Sequence, residues 1–149
     1  MANEDTNAII REFLVNETTL TDVVSTRIYC PRLPEEEALT LPSISFFTRG
    51  GGAAYSAYIP GMVEPSVQFD CWATDIDGGL TGPREARRVY RALYDVLQGI
   101  QREVVAVDGT DYIIWSAIEE VQGMDLVDSE IPNYFRTLCF FKFMIRAEA

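Results

Sequence analysis

Apolar positions along the chain follow a helical spacing in some segments and alternate strictly in others, and the changes between the two mark the predicted elements. Residues 5–15 place apolar side chains three and four positions apart and predict a short amphipathic helix. A further helical turn is predicted at 20–24. A long helix is predicted from Thr81 or Gly82 to about Gln98, with proline in its first turn.

Alternation at a period of two predicts strands in much of the remaining chain. The clearest strand covers 66–74, in which every second side chain is apolar. The other predicted strands cover 43–49, 103–107, 111–121 and 134–146. This order predicts an α+β fold, a mainly antiparallel sheet with one long and one short helix packed on one face, in a single domain over 1–149.

Two segments interrupt these patterns and are predicted to be mobile loops. One covers about 50–62 and combines a Gly-rich start with tyrosines and other apolar side chains. The other covers about 122–133 and carries several carboxylates. Both are candidate contact segments.

Composition removes several classes of function. The chain has 12 Lys and Arg against 23 Asp and Glu, a net charge of -11 and no histidine. It therefore lacks the basic surface of a sequence-specific DNA-binding protein and the commonest general base and metal ligand. Its three widely spaced cysteines predict buried, reduced side chains. The acidic start and the absence of a long apolar run predict a protein without a signal peptide or membrane segment, made in the cytoplasm.

Short motifs with chemical potential have simpler interpretations. The Asp75 to Gly78 segment resembles part of a calcium loop but lacks the remaining ligand spacing. The glycines at 50–52 lack the Lys-Ser/Thr ending of a phosphate-binding loop. We therefore predict no catalytic residue, no cofactor and no metal site. A small acidic enzyme using paired carboxylates, such as Asp70 and Asp75, is the alternative from another class.

Four arginines concentrate positive charge on one flank of the predicted long helix. Arg84, Arg87, Arg88 and Arg91 lie within eight positions of an otherwise acidic chain. They form either a solvated helix face or a subunit interface that pairs with the acidic loops of a neighbour. The second interpretation suits a head-to-tail ring, in which two different patches meet.

Several segments together resemble the tail-terminator, or tail-completion, proteins of long-tailed bacteriophages. The resemblance rests on Arg27-Ile28-Tyr29 followed by prolines, on Leu41-Pro42 before an aromatic strand, and on the segment 67–73 before the long helix. It extends from about residue 8 to 146 and is one of element order and pattern, without a catalytic motif.

The resemblance implies a structural assembly protein and not an enzyme. Such a subunit forms a ring, usually hexameric, that caps the tail tube, ends its polymerisation and presents the head-joining surface. Its implied partners are further copies of itself, the tail tube protein and the head–tail connector or stopper protein, and its implied location is the tail–neck region of the virion. DNA would pass through the lumen without specific binding, and an acidic wall suits this because it does not retain phosphates.

Two other functions stay open at this point: a head–tail stopper or neck connector protein, and a small peptide-binding module that uses an exposed sheet edge. The residues expected at subunit or partner contacts are the four arginines together with Gly50, Gly51, Gly52, Tyr55, Tyr58, Ile59, Met62, Met124, Asp125, Asp128 and Glu130.

Overall fold

A computed structural model describes residues 5–33, 42–52, 62–74, 81–127 and 134–147. Three helices and six strands lie in these ranges. The helices are α1 (Thr6–Val15), α2 (Thr18–Val24) and α3 (Gly82–Leu97). The strands are β1 (Ile28–Tyr29), β2 (Ser43–Gly52), β3 (Met62–Thr74), β4 (Glu103–Val107), β5 (Thr110–Val127) and β6 (Tyr134–Ala147).

The six strands form one curled sheet in the order β1-β2-β3-β6-β5-β4. Strand β1 pairs with β2 in parallel, and every other pair is antiparallel. The mixed α+β class and the mainly antiparallel sheet are therefore confirmed.

The prediction of one short helix was wrong, because α2 forms a second one directly after α1. Asp5 caps α1 by accepting a hydrogen bond from the backbone N–H of Ala8 at 3.2 Å. Two residues separate the end of α1 at Val15 from the start of α2 at Thr18. The predicted turn at 20–24 is thus part of a helix of seven residues, and all three helices contribute to the same core.

Both predicted loops are shorter than expected. Strand β5 continues to Val127, so the first part of the 122–133 segment is paired strand. Irregularities in its pairing with β6 between Ile114 and Ser116, and twice between Glu119 and Met124, break the alternation on which the prediction depended. Likewise, β2 includes Gly50–Gly52 and β3 starts at Met62. The remaining parts, 53–61 and 128–133, lie outside the described residues.

The core lies between the helices and one face of the sheet, and aromatic rings fill its centre. Phe69 of β3 contacts three other rings, with centroid distances of 5.5 Å to Phe46, 5.9 Å to Phe141 and 6.1 Å to Phe143. All four side chains are fully buried. The helices add apolar side chains above them: Ile9, Ile10, Phe13, Leu14, Leu20, Val24, Val89, Leu93 and Leu97.

Two of the cysteines belong to this core. Cys71 and Cys139 are buried, and burial raises the pKa of both thiols, which keeps them protonated and inert. Cys30 is only half-buried. The expectation of buried cysteines is therefore correct for two of the three. None of the described helices has the length and apolar character needed to span a bilayer.

Candidate functional site

The outer side of β5 is the longest open backbone edge in the described part of the sheet. Strand β4 pairs with β5 only from Thr110 to Ile114, whereas β6 pairs with the other side of β5 as far as Val127. Beyond Ile114, no described strand pairs with this outer side. An open edge presents unpaired N–H and C=O groups to which another extended segment can bind.

Three exposed apolar side chains lie on this edge between Ser116 and Leu126. Ile118 is 63% exposed, Met124 45% and Val121 36%. Their partners on β6 are Lys142, Leu138 and Phe140, so the three side chains lie on the same face of the sheet, opposite the helices. We call residues 116–126 of β5, with these three side chains, the β5 edge surface. Large exposed apolar groups on an open edge are unusual unless they contact a partner.

Sequence reasoning identified Met124 and missed the other two. Apolar residues at 118, 121 and 124 repeat every three positions, which fits neither an alternating strand nor a long helix. The irregular pairing of β5 brings them to one face. A repeat of three within a strand-forming segment is the signal that could have been used.

Helix α3 reaches the β5 edge surface through one of the four arginines. Arg87 Nε lies 2.9 Å from Asp125 Oδ1. Nη2 of the same side chain donates a hydrogen bond to the carbonyl oxygen of Gly123 at 3.3 Å. Thr137 also donates to Asp125, at 3.3 Å. One of the two interpretations of the arginines paired them with acidic loops of a neighbouring subunit, but Arg87 and Asp125 pair within one chain, because β5 extends beneath α3. Both side chains are about half exposed, so the pair contributes at most about 1 kcal/mol.

The other three arginines point to solvent. Arg88 pairs with Glu85 of the same helix at 2.9 Å. Arg84 and Arg91 are exposed and form no ion pair with any residue that the structure describes. Arg84, Arg88 and Arg91 lie at spacings of four and three and therefore share one helix flank. We call these three residues the arginine flank.

A tyrosine connects α3 to β5 below this flank. Tyr90 donates a hydrogen bond to Glu119 Oε2 at 2.6 Å. Burial, followed by this bond to a carboxylate, raises the pKa of Tyr90 to about 12. The phenol therefore stays protonated at physiological pH and keeps Glu119 on the helix side of β5.

Polar groups on the face opposite the helices connect neighbouring strands. Asp70 accepts hydrogen bonds from Arg136 at 3.3 Å and from Gln68 at 3.2 Å. Trp72 donates to Ser45 at 2.9 Å, and the Arg136 guanidinium lies 5.3 Å from the Trp72 ring centroid. Strands β2, β3 and β6 are thus joined by side chains as well as by the backbone. Asp70 is engaged in this structural network, and Asp75, its companion in the enzyme alternative, lies outside the described residues.

A second polar cluster on the same face extends to β5. Arg49 donates to Ser66 at 3.1 Å, and Ser66 donates to Glu120 at 2.6 Å. The Arg49 guanidinium also lies 4.0 Å from the Phe140 ring centroid. These contacts hold Glu120 on the same face as Val121. The Glu120 carboxylate of the β5 edge surface is therefore bonded to β3.

We expect Asp70 to make a pH-dependent contribution to stability. Burial raises the pKa of Asp70 above its ordinary value, and this outweighs the opposing effects of Arg136 and Gln68. Between the unfolded pKa of about 3.9 and the raised folded pKa, the folded state binds more protons, so its free energy of unfolding falls as pH rises. Asp70→Asn removes this titration. Urea unfolding of both proteins should therefore show the free energy of unfolding of Asp70→Asn, minus that of the wild type, rising with pH across this window. A relative stability that falls with pH would contradict this assignment.

The remaining predicted contact residues divide into three groups. Met62 was expected in an exposed loop but is buried at the start of β3, because its backbone pairs with Arg146 of β6. Gly51 and Gly52 pair with β3, and Gly50 has a φ of 100° at a register shift of β2, a conformation that favours glycine. The others lie outside the described residues: Tyr55, Tyr58, Ile59, Asp128 and Glu130.

The described residues contain no group of three or more His, Cys, Asp or Glu side chains arranged to hold a metal ion. A shallow groove of about 360 Å³ runs between α3 and β5, with Tyr94 and Gln98 on one side and Ala117 and Glu119 on the other. Comparison with protein-family models and with curated proteins finds no match to this chain.

Proposed function

We propose that this protein is a non-enzymatic subunit of a ring at the tail–neck junction of a long-tailed bacteriophage, where it caps the tail tube and joins it to the head. The resemblance of element order and motifs to tail-terminator proteins is the starting point. The arginine flank is the observation that carries the proposal. It is an exposed cationic patch on a chain of net charge -11.

This charge distribution favours contact between different patches of neighbouring copies. The chain carries an excess of acidic side chains, so contact between the arginine flank of one copy and carboxylates of the next is electrostatically favourable. A contact between unlike patches is heterologous and closes into a ring when the rotation permits. The sign and the position of the charges therefore support the ring proposal.

Removing the protein from the phage that encodes it tests the proposal. Negative-stain images should show tails of abnormal length and heads without tails, because tube polymerisation is no longer ended and no joining surface is present. Supplying the wild-type protein should restore tail length and joining. Normal virions without the protein would exclude both capping and joining.

Charge reversal in the arginine flank should abolish assembly without unfolding the subunit. Arg91→Glu places a carboxylate in the expected contact, whereas exposed substitutions of this kind change stability by only about 0.5 kcal/mol. The expected result is a folded protein that fails to restore tail joining in the same complementation assay.

Arg146→Glu is the matched control, since it makes the same change in charge at a half-buried position near the end of β6. It should restore joining. Equal activity of the two variants would exclude the arginine flank from the ring contact.

The β5 edge surface favours a second candidate, a strand-binding module. Such a module would act as a folded monomer with one extended partner. Normal tails after deletion, together with capture of a single extended segment at β5, would favour it over the ring subunit.

A further inference from the structure

We propose that the β5 edge surface pairs with the same surface of a second copy of this chain, as two antiparallel strands related by a two-fold axis at Val121. The sheets of the two copies would then be continuous across the β5–β5 junction. This inference does not rest on the proposed function. It uses β5, whereas the ring contact uses the arginine flank.

The first support is the match of apolar side chains about this centre. Val121 would lie opposite its own counterpart, and Ile118 opposite Met124, in both halves of the pair. All three lie on the face opposite the helices, so the paired side chains would meet on one face of the joined sheet. Directly opposed side chains in antiparallel strands have Cβ atoms about 4.5–5.5 Å apart, close enough for apolar contact. The pairing would therefore cover the three exposed groups together.

The second support is charge, because this register opposes no carboxylate to another carboxylate. Directly opposed like charges destabilise a strand pair, and β5 carries three acidic side chains between 119 and 125. In the register centred on Val121, each is opposite an uncharged residue. The pairs are Glu119 with Gly123, Glu120 with Gln122, and Asp125 with Ala117.

Neighbouring registers fail one or both of these conditions. Moving the centre by one residue opposes Glu120 to its own counterpart in one direction and Glu119 to Asp125 in the other. Placing the centre between Glu120 and Val121 opposes Ile118 to Gly123, and placing it between Val121 and Gln122 opposes Ile118 to Asp125. The register at Val121 is thus the one among these that satisfies both charge and apolar contact.

Pairing of this kind also accounts for the length of the open edge. Natural edge strands are kept from pairing by charges, bulges, prolines or short length. Strand β5 has bulges and carboxylates, but it contains no proline and runs for 18 residues. A second copy would satisfy its open backbone groups and exclude other extended chains.

Cysteine cross-linking of the full chain tests both the partner and the register. In a Cys30→Ser background, which removes the half-buried thiol, Val121→Cys should form a disulfide-linked dimer under mild oxidation. Ile118→Cys alone and Met124→Cys alone should stay monomeric on non-reducing gels, whereas their mixture should form a mixed dimer. Val104→Cys, at an exposed valine on β4, is the control and should not cross-link. Absence of the Val121→Cys dimer, or equal cross-linking of all four variants, would overturn the proposal.

Light scattering over a range of concentrations provides the second measurement. The wild type should form a dimer that Val121→Lys removes, because two ammonium groups would then face each other at the two-fold axis. Val104→Lys should retain the dimer. Both variants should unfold cooperatively, and Val121→Lys should unfold at the temperature of wild-type protein diluted to its monomer, because it lacks the stabilisation that association provides. A wild type that is monomeric at every concentration would overturn self-pairing and leave a strand of another protein as the occupant. Arg91→Glu should leave this dimer intact, so failure of the ring proposal and failure of this one are distinguishable.

Discussion

Phe69→Ala should lower the free energy of unfolding by about 3–5 kcal/mol, the range for removing a fully buried phenylalanine from a protein core. Phe69 is fully buried and contacts three aromatic rings, so its loss leaves a cavity bounded by strands on both sides of β3. Those strands are tied by backbone pairing and cannot close the space. Denaturant unfolding followed by tryptophan fluorescence measures the change.

Phe47→Ala is the control for this substitution. Phe47 neighbours Phe46 on β2 but is half-buried and pairs with Gln68, on the face opposite the helices. Its truncation removes a similar volume at a site that solvent already reaches, so the loss should be clearly smaller. Equal losses would mean that the aromatic cluster around Phe69 is not the centre of the core.

The elements with strong periodicity and clear boundaries could be predicted from the sequence. The long helix was expected to end at about Gln98 and ends at Leu97, because a regular apolar stripe stops before Gly99. The strand 103–107 was predicted with its observed bounds, since the Asp108-Gly109 turn separates it from β5. In both cases local sequence and tertiary packing favour the same structure.

The interaction surface could not be predicted in the same way. Its edge exists because β4 stops pairing at Ile114 while β5 continues, and strand lengths of this kind depend on the whole sheet. The pairing of Arg87 with Asp125 joins residues 38 positions apart and depends on the register of β5 beneath α3. The last part of β5, 122–127, was predicted as a loop because its irregular pairing with β6 removes the alternation there.

The seam between α3 and β5 has no room for a side chain at one position, Gly123. A Cβ atom there would lie 2.8 Å from Thr137 Cγ2 and 2.9 Å from Tyr90 Cε2, closer than ordinary van der Waals contact. Neither neighbour can move freely, since Thr137 is fully buried and Tyr90 is held by its hydrogen bond to Glu119. Glycine at this position therefore lets α3 approach β5 closely.

Gly123→Ala should consequently destabilise the protein by about 1–3 kcal/mol, the usual cost of adding a methyl group to a well-packed contact. Gln122→Ala, at the exposed neighbouring position, should leave the denaturation midpoint almost unchanged. Unfolding of both variants at the wild-type midpoint would show that α3 and β5 are not closely packed.

Gly123→Ala also tests whether the packing of α3 determines the conformation of the β5 edge surface. Tyr90 and Arg87 both contact the segment that contains Gly123, so displacement of α3 should alter the course of β5 between Glu119 and Asp125. If that course sets the register of the proposed pair, Gly123→Ala should reduce the yield of the Val121→Cys cross-link, whereas Gln122→Ala should not. An undiminished cross-link in a destabilised Gly123→Ala protein would show that the edge holds its conformation independently of α3.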